Sequence, residues 1–132
     1  MTQLRTLVLD CEGFSAWLTQ DRKVLGIIYS AWRHKSRIVA SANTIIEVSH
    51  AGLSMPRLNW ALSHVKIEPV TEQSAEAAAR LLKETGLHGH KYALDATVAE
   101  TALRQPGPVA VLTSDVDDMR KLCGQRVRVI PV

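Results

Sequence analysis

A set of carboxylates stands at positions from which they could share chemistry: Asp10, Glu47, Asp95, and the trio Asp115, Asp117 and Asp118. Asp10 closes the apolar stretch "TLVLD", and the trio follows a second one in "VAVLTSDVDDM". Glu47 lies one turn into the helix predicted after "RIVAS", and Asp95 lies in "KYALDATVAE". Carboxylates converging on one edge repel each other unless cations lie between them. Hard divalent ions take oxygen ligands, and Mg²⁺ uses few carboxylates together with water and substrate phosphate. Two such ions can activate water and stabilise the leaving oxygen in phosphodiester cleavage. Singly, each acid has a plainer reading. Thr44 and Glu47 have capping-box spacing, Asp10 suits a turn or cap, and Asp115–Asp118 suit the first turn of a helix. Asp95 is harder to dismiss: small and apolar neighbours (Leu94, Ala96, Val98, Ala99, Ala102) suggest a closely packed helix, where an acid tends to be paired or at a pocket rim.

The elements that would position these residues alternate. Strands are predicted at "TLVLD", "RIVAS", "KIEPV", "VAVLTS" and "VRVIPV". Helices are predicted at "SAWLTQDRKVLGIIYSAWRHK" in two pieces, "NTIIEVSHAGL" with Gly52 near its end, "RLNWALSHV", "KYALDATVAETALRQ" and "DVDDMRKLC". "TEQSAEAAARLLKETG" carries helix start and stop signals, with Thr71 as N-cap, Glu72 in the first turn and Gly86 as C-cap. "LHGH" reads as a loop. The strands are apolar throughout rather than alternating, as in a sheet covered on both faces. The expectation is an α/β domain, three layers α/β/α, around a central, mostly parallel sheet. Ligands of such sheets bind beyond the carboxyl ends of the strands, the edge that holds Asp10 and Asp115 and that Glu47 can reach.

Bulk properties bound the rest. The 132 residues fit a single domain over 1–132, and 46% hydrophobic content supports a core without disulfides. A net charge of +3 permits an anionic partner without requiring one. Cys11 and Cys123 have no CxxC spacing and read as reduced thiols of a cytoplasmic protein. No apolar run approaches the ~20 residues of a membrane span, and the N-terminal run is too short for a signal peptide.

The series "TLVLD", "IIEV", "LDATVAETAL" and "VLTSDVDDM", in this order over essentially the whole chain, resembles the PIN-domain ribonucleases. It is most similar to the VapC-like toxins of bacterial toxin–antitoxin pairs. The resemblance implies an endoribonuclease using Mg²⁺ or Mn²⁺ held by Asp10, Glu47, Asp95 and Asp115, with Asp118 as a supporting or alternative ligand and Asp117 pointing elsewhere. It implies an RNA substrate, a homodimer, and a VapB-like antitoxin whose C-terminal segment covers the acidic site. The chain departs from the family pattern at Glu100, where a small residue is common, and at Met119, where Phe is common. Glu100 lies well away from Asp95 around a helix and is not expected to be a primary ligand. Glu12 is expected to be exposed.

Other residues carry paired readings. Thr113 and Ser114 are candidates for a phosphate contact or for helix capping. Lys91, one turn before Asp95, could meet a phosphate or pair with that acid. His88 and His90 have no zinc-ligand partner pattern. "RHKSR" (residues 33–37) should lie at the amino edge, as C-terminal helix cations, with RNA contact there only for a long substrate. Trp17, Trp32 and Trp60 fit either the core or a dimer or antitoxin surface. Two other functions remain in view. One is the same fold binding RNA or protein without turnover. The other, a phosphoacceptor signalling domain, is disfavoured because residues 50–66 contain no Asp.

Overall fold

The computed structural model describes residues 3–50 and 52–132. Its centre is a five-stranded sheet of β1 (Thr6–Leu9), β2 (Arg37–Ser41), β3 (Lys66–Glu68), β4 (Val109–Thr113) and β5 (Arg128–Pro131). The strand order is β3-β2-β1-β4-β5, and every pairing is parallel. The chain leaves β1 for β2 on one side, and β4 closes against β1 on the other. The carboxyl ends of β1 and β4 therefore flank the point where the winding reverses, which opens a crevice in sheets of this kind.

Seven helices cover the sheet: α1 (Cys11–Leu18), α2 (Arg22–Arg33), α3 (Ala42–Val48), α4 (Met55–Leu62), α5 (Glu72–Thr85), α6 (Gly89–Leu103) and α7 (Val116–Cys123). Alternate strand residues feed two separate cores. Leu7, Leu9, Ile38, Ala40, Ala110 and Leu112 pack with Phe14, Trp17, Val24 and Ile28 of α1 and α2. Val8, Val39, Val109 and Val111 pack with Val98, Ala99, Met119 and Leu122 of α6 and α7. Because both faces are buried, every β1 and β4 position is apolar or Thr, and the period-two signal of a half-exposed strand is lost.

Helix ends follow local chemistry, and several fall where the sequence patterns do not put them. α5 is bounded as predicted: the Thr71 hydroxyl accepts the Ser74 N–H at 3.1 Å, and Gly86 adopts the left-handed conformation, φ 73°. α1 starts at Cys11 rather than Ser15, because Asp10 itself is the N-cap. α3 starts from Ser41 and ends at Val48, so Gly52 lies beyond it; Ala51, in the predicted continuation, is outside the described residues. The Thr44–Glu47 capping box does not form. Thr44 sits inside α3, 1% exposed, and its hydroxyl has no hydrogen-bond partner. The predicted loop "LHGH" is half helix, since α6 begins at Gly89 with His88 as its N-cap.

Candidate acidic site at the sheet switch point

Asp10 is the most constrained of the acids. It ends β1, is 4% exposed, and caps α1 by accepting the Gly13 N–H at Oδ1 over 2.8 Å. Its own N–H donates to the Leu112 carbonyl at 3.2 Å, which ties it to the end of β4. Gly13 makes this approach possible: a Cβ there would stand 2.9 Å from both Cβ and O of Leu112. α1 therefore lies directly on β4 only because residue 13 has no side chain.

Asp115 follows β4 and is the N-cap residue of α7, but its carboxylate makes no capping bond. Its backbone N–H donates instead to the Thr113 hydroxyl at 2.9 Å. Thr113 is fully buried, and its hydroxyl supports the backbone at Asp115; Ser114 beside it is exposed. Asp118 is half-buried in the first turn of α7, and Asp117 is exposed. Glu47 is exposed on α3, and Asp95 is half-buried on α6.

These side chains from separate elements act on one another. Burial pushes the Asp95 carboxyl up to about 6, with further contributions from Asp115, Asp10 and Asp118. Partial desolvation raises Glu47 to about 6 although much of the residue remains solvent-exposed, and Asp95, Asp10, Glu12 and Asp115 add to it. Asp10 is raised to about 6 by burial; the Thr113 hydroxyl and the Gly13 N–H pull the other way, while Glu12 and Asp115 push it further up. Glu12 is exposed, as expected, yet its field reaches Asp10 and Glu47. Burial also raises the Cys11 thiol to about 11 beside these acids, which removes it as a thiolate nucleophile.

Among the described residues, no ion pair joins a cation to these acids. The ion pairs among the described residues are Lys66–Glu68, Arg104–Glu68 and Arg104–Glu100. Lys91 is exposed and places its ammonium over the Tyr92 ring, 5.2 Å from the centroid, rather than on Asp95. Glu100 is engaged by Arg104 at 3.0 Å, one turn away, and does not face the acids. Unpaired carboxylates with raised pKa values are the donor chemistry that a hard divalent cation takes. Among the described residues, however, no group of three or more His, Cys, Asp or Glu is already arranged to hold a metal ion.

No family model matches the chain, and no curated protein matches it. Solved structures do. The chain aligns with one in the crystal structure of VapBC2 from Rickettsia felis bound to a DNA fragment from their promoter, with a TM-score of 0.73. The alignment covers 96% of this chain and 98% of that chain, at 12% sequence identity. The chain has a PIN-like fold.

At that identity the likeness carries the fold, and the roles of individual side chains rest on their own geometry. Away from the acids, the PIN-like fold holds an aromatic cluster on α1, α2 and α4. Trp17 is buried, meets Trp32 and Trp60 edge-on at 6.0 and 5.8 Å, and leaves Trp60 half exposed. A cavity of ≈ 640 Å³ opens beside it, lined by Trp17, Tyr29, Arg57 and Trp60 among others. Sequence patterns do not signal Gly13 or Glu68. Gly13 looks like any helix glycine, and Glu68 is recognisable only once Arg104 and Lys66 are seen to converge on it. No helix among the described residues is long and apolar enough to cross a membrane.

Proposed function

We propose that this chain is a divalent-metal-dependent endoribonuclease acting as the toxin of a toxin–antitoxin pair. The observation that carries the reading is the convergence of Asp10, Glu47, Asp95 and Asp115 at the sheet switch point, near enough to raise one another's pKa values and joined to no cation by an ion pair among the described residues. The likeness of fold to a chain of the VapBC2 complex supports it. Asp10, Glu47, Asp95 and Asp115, with Asp118 in support, would hold Mg²⁺ or Mn²⁺. When bound, the ion supplies Lewis-acid polarisation of the phosphate and neutralises charge that builds on it.

The chain's own residues do the rest. The Gly13 N–H fixes one oxygen of Asp10 at the end of β1. Thr113 fixes the backbone at Asp115, leaving that carboxylate free. Hydrolysis needs a water to attack phosphorus, one P–O ester bond to break, and the attacking water to lose a proton. Of the site's acids, one with an oxygen not engaged by the ion would take that proton, and the leaving oxygen would gain one as the ester bond breaks. Ser114 and Lys91, both exposed near the acids in sequence, are the residues we assign to the substrate phosphate. A VapB-like antitoxin is the proposed inhibitor, and the half-exposed Trp60 beside its cavity is a surface of the composition that such partners cover. A homodimer belongs to the same proposal.

A second reading, a PIN-like module that binds RNA or protein without turnover, is favoured by the absence of a ready three-ligand arrangement among the described residues. Calorimetric titration with Mn²⁺ separates the two. The nuclease reading predicts saturable binding that weakens in Asp95→Asn. Heat flow no different from buffer, with RNA affinity retained, supports the module.

A further inference from the structure

Five of the chain's sixteen Lys and Arg residues gather around two cavities. Two adjoining cavities share Gln3, Leu4 and His34 in their walls. The smaller, ≈ 270 Å³, lies at the amino edge of the sheet and is lined by Arg5, Lys35 and Arg37. The larger, ≈ 670 Å³, runs between α2 and β5 and is lined by Lys23 and Arg128 over a floor that includes Ile27 and Ile130. Neither wall contains an Asp or Glu. None of these five cations forms an ion pair among the described residues.

The groove has a direction. Its far end is at Lys35, just past the C-terminus of α2. Its near end is at Lys23, whose ammonium donates to the Pro131 carbonyl at 2.7 Å. Pro131 is paired with Thr113, two residues before Asp115. The cationic groove therefore starts at the carboxyl edge of the sheet, at its β5 end, and follows α2, about 18 Å long, to the opposite edge.

Lys35 sharpens the point. It takes a left-handed backbone conformation, φ 60°, just after the α2 C-cap, where Gly or Asn is the unstrained choice. A long cationic side chain stands there against its backbone preference. The backbone donors nearby are already used: the Arg5 and Thr6 N–H groups both donate to the Pro108 carbonyl, and the Arg37 N–H donates to the Arg5 carbonyl. A compact anion site is normally built from free N–H groups. What remains here is a row of side-chain charges over an apolar floor, which suits an extended polyanion read without regard to sequence.

We propose that this groove is an exosite for the phosphodiester backbone of single-stranded RNA whose cleaved bond lies at the acidic edge. The assignment of RNA rests on the nuclease reading; the groove and its charge do not.

The test uses oligouridylates of four, eight and sixteen nucleotides, bound in chelator so that nothing is cut, at several salt concentrations. Wild-type affinity should rise with length. In the triple variant Arg5→Gln, Lys35→Gln, Arg37→Gln, most of the gain between four and sixteen nucleotides should be lost, at least tenfold. The slope of log affinity against log salt should shrink by about 0.7 for each phosphate contact removed. Lys35→Gly guards against a trivial folding effect: it should raise the melting temperature while lowering affinity for the sixteen-mer. An unchanged length dependence in the triple variant overturns the exosite, as does a groove that binds polyglutamate in competition with no RNA. Should the wild type cut no RNA with Mn²⁺ yet lose length-dependent binding in the variant, the exosite stands and the nuclease reading falls.

Discussion

The Oδ1 of Asp10 accepts the Gly13 N–H at 2.8 Å, so the first acid of the site is held by a glycine that also lets α1 lie on β4. One residue thus couples helix packing to the placement of a carboxylate. Gly13→Ala would bring a methyl within 2.9 Å of Leu112 atoms that include backbone, which cannot rotate away. Urea unfolding should show a loss of about 1–3 kcal/mol, the usual range for overpacking, despite alanine's better helix propensity. A neutral or stabilising effect would mean that α1 can move off β4 without strain.

The acids set a pH dependence of definite sign. Asp10, Glu47 and Asp95 hold their protons up to about pH 6 in the folded chain, against ordinary values of 3.8, 4.5 and 3.8. Between about pH 4 and 6 the folded chain binds more protons than the unfolded one. The stability these groups contribute is therefore fullest below their ordinary values and is lost as pH rises through about 6. In chelator, the melting temperature of Asp10→Asn, which keeps a capping oxygen, should exceed that of wild type at pH 7.5 and approach it at pH 5. Mn²⁺ should raise the wild-type melting temperature more at pH 7.5 than at pH 5, because protons compete for the same oxygens. Equal shifts at both values would detach the cation from these carboxylates.

Much of this arrangement was legible in the sequence, and the parts that were not share a cause. Apolar strands, the Thr71 and Gly86 signals and the acids at strand ends are written locally, by periodicity and by residues with strong backbone preferences. Thr44 shows the limit: its spacing to Glu47 satisfies a capping box, yet Ser41 already caps α3 from the end of β2 and turns Thr44 inward. "LHGH" carries a glycine and polar residues typical of a loop, and packing of Gly89 near Leu82 of α5 accompanies its helical state. Thr113 was a candidate phosphate contact because it lies at the carboxyl edge; its burial and its bond to the Asp115 N–H depend on the fold and are not written locally. The cationic groove was legible only as "RHKSR", since Arg5, Lys23 and Arg128 join it through the fold.

Thr44 itself offers a stability test. Its buried hydroxyl has no partner, and a buried unsatisfied group costs about 1–3 kcal/mol. Thr44→Val keeps the shape and removes the hydroxyl, so denaturant unfolding should show an unchanged or higher stability, by up to about 1 kcal/mol. A loss of more than that would reveal a partner for the hydroxyl, such as an ordered water.

Glu100 and Arg104 separate structural acids from site acids. Arg104 bridges Glu68 at 2.7 Å and Glu100 at 3.0 Å, and Glu68 is 8% exposed. Arg104→Gln should cost about 1–3 kcal/mol by leaving a buried carboxylate underpaired. Glu100→Gln, on a partly exposed pair, should cost under about 1 kcal/mol and leave Mn²⁺ binding unchanged. Weakened Mn²⁺ binding in Glu100→Gln would return that acid to the site.

The central claim is that the carboxylates at the sheet switch point cut RNA through a divalent cation. Cleavage of a single-stranded RNA, followed on a gel with Mg²⁺ or Mn²⁺ and with chelator, tests it most directly in wild type and in Asp95→Asn, with melting curves to show that both are folded. The account predicts fragments from wild type only when the cation is present, and a loss of at least 10²-fold in Asp95→Asn. Cleavage that persists in chelator, or at full rate in folded Asp95→Asn, would contradict it.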